Sequence, residues 1–130
     1  MNYLLDTHAL LWWREGNRKL GASARRVVEH GGTVYVSAPT AWELAIKTRM
    51  QRLTLPRPLH LWLPDVIERG RFAALAVTLD HAVGVASLPD HHPDPFDRLL
   101  IAQARIENLT IVTADVAFDD YDVRVLDARA

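Results

Sequence analysis

Short apolar runs alternate with helical patterns along the whole chain. Several runs are rich in β-branched and aromatic residues, which favour β-strands. They predict five strands, over residues 1–5, 33–36, 73–77, 110–113 and 123–126. Between them, apolar residues recur mostly at helical spacing, which predicts six helices, over residues 9–13, 22–30, 39–49, 60–69, 80–86 and 96–107.

The predicted strands are apolar on both faces and are separated by helices. This pattern is typical of a parallel sheet that helices cover on both sides. The chain has no internal repeat and no linker-like segment. We therefore expect a three-layer α/β/α fold with a short central parallel sheet, formed as a single domain by residues 1–130.

Composition narrows the class of protein. Apolar residues make up 49% of the chain and charged residues 24%, as in an ordinary globular protein. No apolar run approaches the roughly 20 residues of a membrane span, and Asp6 and His8 interrupt any signal-peptide pattern. The absence of cysteine excludes thiolate catalysis and cysteine-bound zinc. We expect a cytoplasmic protein that does not contact membranes.

Charge is unevenly distributed along the chain, although its net value is only −1. Residues 1–65 contain nine Lys/Arg against five Asp/Glu, a net charge of +4, and residues 66–130 contain six against eleven, a net charge of −5. Residues 44–64 contain four basic side chains and no acid: Lys47, Arg49, Arg52 and Arg57. This stretch is either a solvated basic face or a contact surface for phosphate.

Four acidic residues fall at the carboxyl ends of predicted strands or in the helices that follow them. They are Asp6, Glu43, Asp97 and Asp115. Since the carboxyl ends of parallel strands meet at one edge of a sheet, we expect these side chains to converge there. Clustered carboxylates repel one another unless a cation compensates them, and oxygen ligands suit Mg²⁺ or Mn²⁺. The pattern predicts a divalent metal site.

Each acid also has a structural explanation as a helix cap. Thr40 and Glu43 fit a capping box, and Asp94 with Asp97 fits the start of a helix at Pro95. Asp6 and Asp115 could likewise each cap the element that follows a strand. Taken singly, the acids are most simply caps, and their shared edge of the sheet is what favours a metal site.

In four segments the sequence resembles the PIN-domain ribonucleases, and among them the VapC-type toxins of prokaryotic toxin–antitoxin pairs. The segments are LLDTHALLWW at residues 4–13, SAPTAWELAIK at 37–47, DPFDRLLIAQA at 94–104 and TIVTAD at 110–115. They stand in the order and at the spacing of the family. Each segment alone is weak, whereas the set is specific.

The resemblance implies a PIN-like fold and a site for Mg²⁺ or Mn²⁺. Asp6, Glu43, Asp97 and Asp115 match the acidic positions of the family one by one. Thr7 and Thr113 match positions that support that site. The loop before Asp94 departs from the pattern, because it reads HHP at residues 91–93 where relatives often have a basic residue just before the DPFD motif.

The resemblance further implies a metal-dependent endoribonuclease that acts as the toxin of a type II toxin–antitoxin system. Hydrolysis would leave a 5′-phosphate and a 3′-hydroxyl, with structured RNA such as tRNA a frequent target. Glu43 would hold a second ion or orient the water. A VapB-like antitoxin would block the site, often with an Arg or Lys, and the basic stretch could contact RNA or antitoxin. A homodimer is expected, with Trp62 the candidate for an interface between proteins.

Other functions fit the sequence less well. A non-catalytic PIN-like module that binds RNA or protein remains the main alternative, with the acids serving only as caps. A phosphatase of haloacid-dehalogenase type would need Asp-x-Asp at the first strand, where His8 takes the third position. The scattered histidines predict no catalyst, and no nucleophile elbow, P-loop or dinucleotide fingerprint occurs.

Overall fold

A computed structural model describes all 130 residues as five strands and six α-helices. The strands are β1 (Tyr3–Leu5), β2 (Val34–Ser37), β3 (Ala73–Leu75), β4 (Thr110–Thr113) and β5 (Arg124–Asp127). The helices are α1 (Thr7–Glu15), α2 (Ala22–His30), α3 (Ala38–Arg49), α4 (Leu59–Gly70), α5 (Leu79–Gly84) and α6 (Pro95–Glu107). Short 3-10 helices at Val85–Ser87 and Val116–Asp120 complete the chain. No helix is long and apolar enough to cross a bilayer.

All five strands are parallel and lie in the order β3-β2-β1-β4-β5. The chain adds β2 and β3 on one side of β1, then returns to add β4 and β5 on the other. Leu5 at the end of β1 is in register with Val112 of β4. Ligands bind where the strand order reverses in this way, outside the carboxyl ends of the strands. That position here is the crevice after β1 and β4.

The sheet separates two hydrophobic cores, because successive side chains of a strand point to opposite faces. Leu5 and Val112 pack in one core with residues of α1, α2 and α4, whereas Leu4 and Ile111 pack in the other with residues of α6. All four side chains are fully buried. The predicted three-layer α/β/α architecture is confirmed.

Three local expectations were wrong. Helix α3 begins at Ala38 rather than at Pro39, with Ser37 as the N-cap, so Thr40 lies inside the helix and its buried hydroxyl has no hydrogen-bond partner. The capping box with Glu43 therefore does not form. Trp62 is 3% exposed and packs in the core, so it is not available to an interface. Strand β3 also ends at Leu75, two residues earlier than predicted.

Candidate metal centre

Asp6 lies at the crevice between β1 and β4, and hydrogen bonds hold both its backbone and its carboxylate in place. Its backbone N–H donates to the carbonyl of Val112, at 3.1 Å. One carboxylate oxygen caps α1 by accepting from the N–H of Ala9 at 2.8 Å, and the other accepts from the hydroxyl of Thr113. The side chain is therefore a helix cap as the sequence allowed, and it also faces the end of β4.

Glu43 is nearly buried on α3 and has a partner for each of its oxygens. Oε1 accepts from the hydroxyl of Thr7 at 2.7 Å, and Oε2 lies 2.6 Å from Nζ of Lys47. Lys47 stands one helical turn after Glu43, the spacing at which a glutamate and a lysine pair best. The ammonium of Lys47 thus places a positive charge directly beside the carboxylate of Glu43.

Asp97 and Asp115 are brought together by a histidine. Nε2 of His92 lies 3.0 Å from Oδ2 of Asp97 and 3.0 Å from Oδ2 of Asp115. These three ligand-type atoms all lie within 4.8 Å of one another. Asp115 also caps the 3-10 helix after β4, since its Oδ1 accepts from the N–H of Ala117 at 2.9 Å.

The position of His92 sets its protonation pattern. Its Nδ1 accepts a hydrogen bond from the backbone N–H of Asp94 at 3.1 Å, so this nitrogen carries no proton. A neutral imidazole then carries its proton on Nε2, which donates toward Asp97 and Asp115. In this arrangement His92 is a donor that joins two carboxylates, and its Nε2 lone pair is not free to bind a metal.

The loop that holds His92 is anchored to a single tyrosine hydroxyl. Oη of Tyr121 accepts from the backbone N–H groups of His91 and His92, at 3.0 and 2.7 Å. It also accepts from the guanidinium of Arg98 at 3.3 Å. Three donors from two segments therefore meet at one buried oxygen, which fixes where the imidazole points.

The site shifts the pKa values of its acids in different directions, with Asp6 and Asp97 raised and Asp115 lowered. Burial, and next the charge of Asp94, raise the pKa of Asp97 to about 7, while His92 lowers it and Asp6 and Glu43 add smaller increases. Burial also raises the pKa of Asp6, although Thr113 and the N–H of Ala9 oppose the shift. Partial burial would raise the pKa of Asp115, but the N–H of Ala117 and His92 lower it overall.

These residues fit a hard divalent cation. The donors are carboxylate oxygens, the ligands that Mg²⁺ and Mn²⁺ prefer. The pKa of Asp97 is near 7 because its carboxyl is buried and the surrounding groups do not balance the negative charge of its ionised form. A bound cation would supply the positive charge that is missing. Lys47 compensates Glu43 alone, so the uncompensated charge lies at Asp6 and Asp97.

The pKa of Asp97 predicts a falling stability as pH rises in metal-free buffer. The folded-state pKa of about 7 lies above the ordinary value of 3.8, so folding favours the protonated acid. Its contribution is complete below pH 3.8 and is lost as pH rises through 7. We expect the Asp97→Asn variant, which cannot ionise here, to gain about 2–4 kcal/mol over the parent between pH 4 and pH 8. Urea unfolding of both proteins at several pH values measures this difference, and parallel curves would contradict it.

The structure brings the predicted site residues to one edge of the sheet and adds two that the sequence reasoning missed. Thr7 and Thr113 hold Glu43 and Asp6, as expected of supporting hydroxyls. Lys47 was considered only as a possible contact for RNA or antitoxin, although its spacing from Glu43 carried the signal. His92 was dismissed with the other histidines, and only its position just before the DPFD motif pointed to the site.

The chain is similar to known proteins in both sequence and fold. The family model described as PIN domain matches residues 3–124. Ribonuclease VapC22 of Mycobacterium tuberculosis is 33% identical over 113 residues, which cover 86% of this chain and 85% of that protein.

Two solved structures have the same fold along nearly their whole length. The crystal structure of VapBC2 from Rickettsia felis, bound to a DNA fragment from their promoter, aligns with a TM-score of 0.73 at 15% identity and covers 97% of this chain and 98% of that one. FitAcB from Neisseria gonorrhoeae aligns with a TM-score of 0.64 at 23% identity, covering 97% of each chain. At these identities the likeness is one of fold.

Proposed function

The chain belongs to the PIN domain family, and from that premise we propose that it is a metal-dependent endoribonuclease, the toxin of a type II toxin–antitoxin pair. The named ribonuclease activity of VapC22 supports the reaction class, at 33% identity over most of both chains. The name VapBC2 for a structure of the same fold supports the pairing with an antitoxin.

The observation that carries the proposal is the raised pKa of Asp97 at the point where the strand order reverses. Burying the ionised form of Asp97 there without a positively charged side chain destabilises the fold. Such a cost is typical of functional sites, and here binding of a cation would offset it. A set of helix caps would not require it. The N-cap of α6 is Asp94, which leaves the carboxylate of Asp97 without a capping role.

In this proposal Asp6, Asp97 and Asp115 hold Mg²⁺ or Mn²⁺, with Glu43 beside them. When bound, such an ion lowers the pKa of water and screens the charge that develops on a phosphodiester during hydrolysis. Other residues of the chain hold these carboxylates in position. Thr113 and the start of α1 orient the carboxylate of Asp6, and His92 spaces Asp97 from Asp115.

Lys47 pairs with Glu43 at 2.6 Å and holds it in place next to the other acids. A carboxylate held in this way can orient a water molecule or accept its proton as the phosphodiester is cut. Thr7 fixes the second oxygen of Glu43, so the side chain presents a constant geometry. These two contacts favour water positioning over direct metal binding as the role of Glu43 in this proposal.

The partners follow from the charge of the site. RNA, including structured RNA such as tRNA, is the proposed substrate, because a phosphodiester is attracted once a cation occupies the acids. A VapB-like antitoxin would inhibit by placing an Arg or Lys against the same acids, where a guanidinium pairs well with carboxylates. The same anionic cluster thus accounts for both activity and its control.

Metal removal tests the proposal directly. We expect the purified chain to cut total RNA with Mn²⁺ or Mg²⁺ and to lose all cleavage in EDTA. Mn²⁺ at about a hundred times its Kd should also stabilise the fold by about 2.7 kcal/mol, which a thermal-unfolding shift would report. Cleavage that survives EDTA would point to a metal-free ribonuclease. No cleavage and no shift with either ion would favour the non-catalytic binding module.

A further inference from the structure

One tryptophan is left in solvent beside the metal centre. Trp42 is 62% exposed, whereas Trp62 is buried and Trp13 packs edge-on against Phe72 at 4.9 Å. Trp12 is covered in part by the cationic groups of Lys19 and Arg129, which lie 5.9 and 5.7 Å from its ring. An exposed indole leaves a large apolar area in water, and beside the acidic cluster it is a candidate contact for a ligand.

The exposed ring is held in one orientation at the rim of the acidic cluster. It meets the ring of Phe96 in a T-shaped contact, with centroids 5.2 Å apart and planes at 86°. Trp42 directly precedes Glu43 on α3, and Phe96 directly precedes Asp97 on α6. Both rings therefore stand one residue away from acids of the site, and the aromatic pair bridges the two helices that carry them.

Positive charge continues along α3 from this pair. Arg49 at the end of α3 and Arg52 just beyond it are both exposed and without an ion pair within 4.0 Å, whereas Lys47 is paired with Glu43. No acid occurs from residue 44 to residue 64. An exposed aromatic ring next to unpaired cations is how proteins bind single-stranded nucleic acid, the ring stacking on a base and the cations tracking the phosphates.

We propose that Trp42, oriented by Phe96, is a stacking platform for an unpaired nucleobase of the RNA that is cut at the adjacent acidic cluster. This rests on the proposed ribonuclease function and specifies its substrate class as RNA with unpaired bases at the cleavage point. A base in a continuous duplex is stacked between its neighbours and offers no free face to the indole. The platform thus selects single strands, loops and bulges.

A protein partner is the competing occupant, because the apolar surface continues along the helix. Ile46 and Met50 follow Trp42 at four-residue intervals and are 37% and 53% exposed. Met50 lies about 12 Å from Trp42 along the axis, farther than one base reaches. A partner protein would use the whole stripe, whereas a base would use Trp42 alone.

Binding of two oligomers of about ten nucleotides separates these occupants. One is an unpaired RNA and the other is its abasic analogue with the same phosphates. Each variant is made in an Asp97→Asn background to keep the RNA intact. We expect the parent to prefer the base-bearing oligomer, Trp42→Ala to lose that preference by about tenfold, and Trp42→Phe to keep most of it. Met50→Ala is the matched control and should bind like the parent.

The other possible results of this experiment either overturn or support the proposed platform. An unchanged preference in Trp42→Ala would overturn the platform. Equal losses of the base preference in Trp42→Ala, Ile46→Ala and Met50→Ala would also overturn it. The same holds for a fall in the mass of the protein assembly that is common to these three variants. Absence of Mn²⁺-dependent cleavage by the unmodified chain, with the base preference still present, would support the platform while removing the proposed nuclease function.

Discussion

Replacing Asp97 by Asn is expected to reduce metal-dependent RNA cleavage by at least about a hundredfold while leaving the fold intact. The amide keeps the size of the side chain but removes the negative charge and one strong oxygen ligand. The residue has no structural duty that Asn would lose, because Asp94 caps α6 and only the backbone N–H of Asp97 joins that cap. Initial cleavage rates at saturating Mn²⁺, together with circular dichroism and urea unfolding, measure the effect.

Asp120→Asn is the matched control, since Asp120 is exposed near the same edge of the sheet. It should cleave like the parent and show the same Mn²⁺-induced thermal shift. Asp97→Asn should lose that shift along with cleavage. If Asp97→Asn cleaved at the parental rate, the assignment of the metal centre to this cluster would be wrong. Asp6→Asn should behave as Asp97→Asn does, although the amide nitrogen of Asn cannot accept from the hydroxyl of Thr113, which adds some loss of stability.

Replacing Arg98 by Met is expected to lower the free energy of unfolding by about 2–3 kcal/mol and cleavage by about tenfold. The guanidinium ties the loop before α6 to the rest of the protein. It donates to four backbone carbonyls at 2.9 to 3.5 Å, those of Val85, Leu88, Pro89 and His92. Methionine fills similar volume but donates no hydrogen bond, so these carbonyls lose the hydrogen bonds from Arg98 and the loop that holds His92 loses its anchor.

Arg105→Met provides the comparison on the same helix, because Arg105 is exposed and forms no ion pair. Urea unfolding and cleavage rates of the two variants should separate clearly. Arg98→Lys should recover only part of the loss, since one ammonium cannot reach all four carbonyls. Equal behaviour of Arg98→Met and Arg105→Met would show that the loop needs no anchor.

Much of the fold could be predicted because local pattern and tertiary burial agree in this chain. Strand β4 reads TIVT and is buried along its whole length, so its apolar run was sufficient evidence. The start of α6 was equally clear, since Asp94 and Pro95 form a cap and first turn whose geometry depends only on neighbouring residues. Helix α3 was less exact. Ser37 and Thr40 are both plausible caps, and the length of β2 decided between them.

The candidate site, like the fold, could be predicted from the sequence only in part. Asp6 and Asp115 could be placed at a shared edge because each follows a strand of a parallel sheet, and Lys47 could have been paired with Glu43 from their spacing alone. His92 could not, because the position of its loop depends on the hydroxyl of Tyr121, which is 29 residues away in sequence. The exposure of Trp42 and the burial of Trp62 likewise depend on which helix faces are covered.

By itself the sequence determined the class of fold, the approximate position of each strand and the acids near the strand ends, since these depend on periodicity and on turn and cap chemistry within a few residues. Only the tertiary structure decided that β1 lies between β2 and β4, and hence that Asp6 faces the end of β4. It also decided which acids receive a positive partner and which do not. The physical reason is that strand order and charge compensation arise from contacts between distant segments, which no local pattern encodes.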